Sequence, residues 1–104
     1  MTYQIRFTTV AHEMFDDLGD KRTKRIVRDR IAELADEPEK RGKALTGTLK
    51  GFRSIQVAGR HRVIYRIKAD IITVLIIAVG IRQAGTRKDI YNWAQRLVRM
   101  NLIE

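Results

Sequence analysis

The sequence predicts an α+β fold with elements in the order β-α-α-β-β-β-α. The sheet is expected to be mainly antiparallel and curved, with the helices packed on one face. Three observations carry this expectation. Two short amphipathic segments, each preceded by a helix-capping residue, follow an opening alternating run. Three runs rich in β-branched and aliphatic residues, joined by short turns, fill the middle. One more segment at helical spacing closes the chain.

Tyr3 to Phe7 alternates apolar and polar residues, as a half-buried strand does. Thr8 and Thr9 offer an N-cap for a short helix with Val10, Met14 and Leu18 on one face, and Gly19 ends it. Asp20 caps a second helix expected to run to Glu37, where Pro38 stops it. Its apolar stripe is Val27, Ile31, Leu34 and Ala35, with Ile26 beside it. The outer face is basic, with Lys21, Arg22, Lys24, Arg25, Arg28 and Arg30. Pro38 to Gly51 reads as a loop, punctuated by Gly42, Gly47 and Gly51.

A β-meander is expected next, with strands over Arg53–Ala58, Arg62–Lys68 and Ile72–Val79 and turns at Gly59-Arg60 and Ala69-Asp70. The third run is nearly continuous in aliphatic residues, which suits a central strand buried on both faces. A final helix is expected over Lys88–Leu102, burying Ile90, Ala94, Leu97 and Val98. No repeat or linker interrupts the pattern, so residues 1–104 are read as a single domain.

Composition narrows the function. The 104 residues are 44% hydrophobic and 32% charged, enough apolar material for a small core. There is no cysteine, which removes disulfides and thiolate zinc sites and fits a reducing compartment. His12 and His61 are the only histidines, so no metal or other cofactor is expected. The N-terminus lacks the apolar run of a signal peptide, and Ile71 to Val79 is far short of the roughly 20 residues that span a bilayer. A cytoplasmic protein with no membrane partner is expected. The formal net charge is +9 and the pI about 10.5, a field that attracts nucleic acid or an acidic protein.

Strand parity then selects side chains. Val63, Tyr65 and Ile67 share the core face of their strand, so Arg62, Ile64 and Arg66 share the opposite one. Ile55 and Val57 read as core, which places Ser54 and Gln56 with Arg62, whereas Arg53 has core parity and must escape at the strand's edge. Arg82 lies just beyond Gly80, at the end of the central strand, and can lean over the same surface. Convergence of Arg62 and Arg82, with Arg53, Arg60 or Arg66 nearby, would make an anion site, because clustered guanidinium groups repel until an anion bridges them. The alternative is that these arginines are solvated or paired with carboxylates. Tyr91, at the start of the last helix, reads as an amphipathic surface residue and Trp93 as a packing residue. Lys43 and Lys50 read as loop charges that add to the field, and His61 as structural.

Three segments, Gly59–Ile67 (GRHRVIYRI), Ala78–Arg82 (AVGIR) and Asp89–Tyr91 (DIY), together resemble the RelE/ParE superfamily of bacterial type II toxins, closer to RelE. Phe7 to Ala11 resembles the family's opening strand and following helix, and Leu45-Thr46-Gly47 its "L-x-G" before the meander. Each motif is short; the ordered set spans nearly the whole chain. The resemblance implies a RelE-like fold and a metal-independent, ribosome-dependent messenger RNA endoribonuclease. In that reaction the ribose 2′-hydroxyl attacks the adjacent phosphate and leaves a 2′,3′-cyclic phosphate. It requires a base, cations for the developing charge and an acid for the leaving oxygen.

Carried onto this sequence, the resemblance makes Arg62, Arg82 and Tyr91 catalytic. Arg62 would hold the scissile phosphate, Arg82 stabilise charge or assist the leaving group, and Tyr91 stack on or orient the nucleotide. Arg53, Arg60, Arg66 and Lys50 are expected to bind RNA. Partners implied are a cognate acidic antitoxin, messenger RNA on the ribosome, and ribosomal RNA.

The sequence departs from the family in one place. Some RelE enzymes carry two lysines, spaced i and i+2, on the first meander strand. Ungapped matching puts Arg53 and Ile55 there; matching core residues puts Ser54 and Gln56 there. The general base is therefore unassigned, with His61 or Lys50 as candidates, or arginine stabilisation carrying the rate. A ParE-like inhibitor of DNA gyrase and a non-catalytic RNA- or ribosome-binding protein are the alternatives.

Overall fold

The computed structural model describes residues 2–83, 86 and 89–101. Its sheet is built from β1 (Gln4–Phe7), β2 (Lys43–Ala44), β3 (Arg53–Val57), β4 (His61–Lys68) and β5 (Thr73–Ile81). The helices are α1 (Thr9–Asp16), α2 (Lys21–Glu33) and α3 (Ile90–Arg99). Strand order across the sheet is β1-β5-β4-β3-β2. The last three pairings are antiparallel and β1 runs parallel to β5, so the sheet is mixed.

Local chemistry starts and stops the helices. Thr8 Oγ1 accepts the Ala11 amide at 3.0 Å, and Asp20 Oδ2 accepts the Thr23 amide at 3.1 Å and its hydroxyl at 2.9 Å. The Thr23 bonds hold the Asp20 carboxyl below the usual aspartate range. α2 ends at Glu33 rather than Glu37. The Ala35 carbonyl is taken by the Tyr3 amide at 2.7 Å, and Glu37 turns left-handed (φ 49°), because Pro38 disfavours a right-handed helical residue before it. Of the expected last helix, the ends at Lys88 and Leu102 lie outside the described residues.

The core has two compartments, one on each side of the sheet. Val27, Ile31 and Leu34 of α2, with Ala11 of α1, pack on Ile55, Val57, Val63, Tyr65, Val74, Ile76 and Val79. Ile90, Ala94 and Leu97 of α3 pack on Ile64, Leu75, Ile77 and Ala78, with Leu49 and Phe52 at the margin. The helices are thus not all on one face: α3 covers part of the face that carries Arg62. The physical reason is the sheet's own composition, since Ile64, Leu75 and Ile77 would otherwise leave an apolar patch in water.

β5 explains how both compartments fill. Ile64 stands opposite Ala78, but Tyr65 stands opposite Ile76, leaving Ile77 as the extra residue of a bulge. Ile77 and Ala78 therefore both face α3, and alternation resumes one step out of phase. Gly80 then lies opposite Arg62 and beneath Ile90, where a Cβ would come within 2.8 Å of the Ile90 side chain. A larger residue there would have to push the Ile90 Cδ1 end aside, so glycine lets α3 sit close without moving that side chain. β5 also extends to Ile81, two residues beyond expectation, because the Arg82 amide donates to the Arg60 carbonyl at 2.9 Å and closes the ladder.

Candidate functional site

β4 presents Arg62 on the α3 side of the sheet, paired with Gln56 of β3 and Gly80 of β5. Arg62 Nη1 donates to the Gly59 and His61 carbonyls at 3.2 and 3.0 Å. Those bonds hold the guanidinium by one corner, Nη1, and among the described residues its other nitrogens make no hydrogen bond or ion pair. Gln56 Nε2 also donates to the Gly59 carbonyl, at 2.8 Å, which stiffens the turn beside it.

Tyr91 is the second residue of α3, and its hydroxyl lies 2.9 Å from Ser54 Oγ, so the helix is bonded to β3. Ser54 is buried, which makes this bond a fixed point rather than a surface contact. Asp89, also buried, is the N-cap of α3. Its Oδ2 accepts the Tyr91 amide at 3.0 Å and its Oδ1 accepts the Gln83 amide at 2.6 Å. One carboxylate thus joins the residue after Arg82 to the backbone of Tyr91. The Arg82 side chain itself is exposed.

These pieces meet in a cleft of about 360 Å³ lined by Gly42, Lys43, Ser54, Gln56, Arg62, Arg82 and Tyr91. Lys43 arrives from β2, opposite Ser54. Three cations and no carboxylate line the cleft, and among the described residues none of the three is in an ion pair. Such a site favours an anion with several acceptor oxygens, since guanidinium forks bind phosphate bidentately.

Arg62, Arg82 and Tyr91 are therefore brought together. Arg53, Arg60, Arg66 and Lys50 do not line the cleft. Arg53 sits on the α2 side, where Nε and Nη2 donate to the Arg41 carbonyl at 3.2 and 2.8 Å and Nε reaches the Tyr65 hydroxyl at 3.3 Å. The Tyr65 hydroxyl is bonded in turn to the Pro38 and Arg41 carbonyls, at 3.0 and 2.8 Å, and burial pushes its pKa above the ordinary tyrosine value. Arg53 thus anchors the segment before β2 from behind. Arg66 lies over the Phe52 ring, 5.8 Å from its centroid. Arg60 is exposed on the hairpin turn, and Lys50 follows the turn at Gly47–Leu49. His61 faces the Ala58 carbonyl, away from the cleft.

Sequence reasoning missed Lys43, Gly42 and the clamp at Asp89. Lys43 belongs to a strand of two residues, too short for any periodic signal. The "DIY" motif held the N-cap residue in view, but not its second bond. No cluster of three or more His, Asp or Glu side chains suited to a metal occurs among the described residues. A larger hollow of about 820 Å³ runs between α1 and α3, lined by Val10, Met14, Leu18, Val79, Ile90 and Trp93 among others. Its charged rim is Glu13 and Asp17, the wrong sign for a polyanion.

The α+β architecture has close counterparts among solved toxins. The toxin–antitoxin complex RelBE2 of Mycobacterium tuberculosis superposes with a TM-score of 0.71 at 34% identity, covering 79% of this chain and 100% of that one. Escherichia coli RelE, as an arginine-to-alanine double mutant in the free state, gives 0.74 at 19% identity over 96% and 99% of the two chains, a likeness of fold. In sequence, Toxin RelG of M. tuberculosis (strain ATCC 25618 / H37Rv) is 34% identical over 91 residues, 88% of this chain and 98% of RelG. The family model for the ParE toxin of the type II toxin–antitoxin system parDE matches residues 5–84. The chain belongs to the RelE/ParE superfamily of type II toxin–antitoxin toxins.

Proposed function

We propose that this toxin is a ribosome-dependent messenger RNA endoribonuclease working in the cytoplasm, with residues 1–104 acting as one domain. The observation that carries the reading is the joining of Arg62, Arg82 and Tyr91 in one cleft without a lining carboxylate. Arg62, held by one corner, binds the scissile phosphate. Arg82, at the free end of the central strand, stabilises the charge that grows on the phosphorane oxygens. Tyr91 orients the nucleotide next to the cut. The 2′-oxygen forms a bond to phosphorus as the bond to the 5′-oxygen breaks, leaving a 2′,3′-cyclic phosphate and a 5′-hydroxyl end. No cofactor enters this scheme.

RelBE2 of M. tuberculosis is a toxin–antitoxin complex, and E. coli RelE has been solved with an antitoxin RelBc peptide. By extension, a cognate acidic antitoxin holds this chain inactive, drawn by its net charge of +9. The exposed Lys21, Arg22 and Arg25 of α2 would meet ribosomal RNA. Primer extension on a defined messenger RNA, in a bacterial translation extract with and without stalled ribosomes, tests the reading. Cuts within codons that require ribosomes are expected; intact message on loaded ribosomes would refute it.

A gyrase-poisoning activity is the second reading, favoured by the ParE family match. Loss of supercoiling by purified gyrase on addition of the toxin would select it.

A further inference from the structure

We propose that Lys43 is a further catalytic residue of the cleft, giving its ammonium proton to the leaving 5′-oxygen; the proposal rests on the ribonuclease reading above. Directly opposed residues of antiparallel strands project from the same face of a sheet. Lys43 opposes Ser54, so it shares the face of Ser54, Gln56 and Arg62, and it lines the cleft with them.

Its backbone is held on two sides. Gly42, at φ 59°, lies so close to the Ser54 carbonyl that a Cβ there would collide with it, which presses the start of β2 against β3. From the α2 side, Arg53 Nη2 donates to the Arg41 carbonyl at 2.8 Å and to the Gly42 carbonyl at 3.4 Å. The backbone leading into Lys43 is thus fixed while its side chain is exposed. Among the described residues its ammonium has no ion pair or hydrogen bond.

The cleft leaves few groups able to give up a proton. Its lining side chains are Lys43, Ser54, Gln56, Arg62, Arg82 and Tyr91. Guanidinium groups keep their protons, and a serine hydroxyl and a glutamine amide are not acids in water. The Tyr91 hydroxyl lies 2.9 Å from Ser54 Oγ, with either oxygen able to donate, and is held toward β3 by that bond. Lysine brings three donor hydrogens, one of which it can release. In the step proposed, the 2′-oxygen–phosphorus bond forms and the 2′-hydroxyl proton passes to water. The phosphorus–5′-oxygen bond breaks, and the 5′-oxygen takes its proton from Lys43 Nζ, which regains one from solvent.

The test compares wild type, Lys43→Ala and Lys43→Arg in single-turnover cleavage on ribosomes programmed with one target codon. The message carries either the ordinary linkage or a sulfur in place of the bridging 5′-oxygen. A thiolate leaves without protonation, because a thiol is far more acidic than an alcohol. On ordinary RNA both variants are expected to be slower by about 10²-fold or more, the usual share of a general acid. On the sulfur linkage both should return to within a few-fold of wild type. Unchanged melting temperatures for the two variants guard against a folding defect. Three results would overturn the role of Lys43 and leave the ribonuclease standing: an undiminished rate for Lys43→Ala, recovery by Lys43→Arg, or a deficit that persists on the sulfur linkage. Failure of wild type to cut either RNA would remove the ribonuclease reading and this proposal with it.

Discussion

Asp89→Ala removes two bonds with one substitution, and the structure sets the size of the effect. The N-cap bond to the Tyr91 amide is worth about 1 kcal/mol by analogy with other aspartate caps. The second bond, from the Gln83 amide at 2.6 Å to a buried carboxylate, is charge-assisted and worth about 1.5 kcal/mol. The expected loss is therefore about 2.5 kcal/mol. For a chain of this length about 4–8 °C of melting temperature goes with each kcal/mol, so a fall of about 10–20 °C is expected. Denaturant and thermal unfolding, followed by circular dichroism, measure it. The same variant should cut RNA more slowly even at temperatures where it is fully folded, because Arg82 and Tyr91 lose the clamp between them. Asp89→Asn should fall between, since its amide nitrogen cannot accept the second N–H. A loss under about 0.5 kcal/mol for Asp89→Ala, with cleavage intact, would show that the carboxylate does not hold the two segments together.

Three further expectations follow from the same geometry. Arg62→Ala combined with Arg82→Ala should abolish growth arrest on expression while leaving the melting temperature within a few degrees; persistent arrest would remove the cleft from the mechanism. Gly42→Ala should destabilise by at least about 1–2 kcal/mol, because it forces a left-handed residue and a Cβ against the Ser54 carbonyl, and a normal denaturation midpoint would refute that reading. Tyr65 has a folded-state pKa raised above its unfolded value by burial. Its stabilising contribution is thus complete below the unfolded tyrosine range near about 10 and is lost as pH climbs through the higher folded value. Ultraviolet titration should show one tyrosine ionising late, together with unfolding, and Tyr65→Phe should abolish that component.

Much of the site was legible because a strand repeats every two residues. The alternation of Val63, Ile64, Tyr65 and Arg66 placed Arg62 on the face opposite the α2 core, and the register with Gln56 and Ser54 agrees. Thr8 and Asp20 marked helix starts because capping is a local event. The position of α3 was harder to read, since the stripe of Ile90, Ala94 and Leu97 says that the helix is buried but not against what. The signal lay elsewhere. Ile64 stands between two arginines on a face assigned to water, and β5 is apolar at every position from Val74 to Val79, so both faces needed a cover. β2 left no trace, because two residues held by Gly42 and by Arg53 from across the sheet form no pattern along the chain.

The bulge at Ile77 gives β5 two phases. The part from Thr73 to Ile77 is in step with β1 and the inner core; the part from Ala78 to Ile81 is in step with the arginine face. A point substitution alters what either part carries but not where it points. Removing the extra residue Ile77 would restore simple alternation and leave Ala78 to Ile81 paired and facing as they are, with Gly80 still opposite Arg62. What such a deletion takes away is one apolar side chain beneath α3. The bulge thus adds cover for the last helix without turning the end of the strand that leads into Arg82.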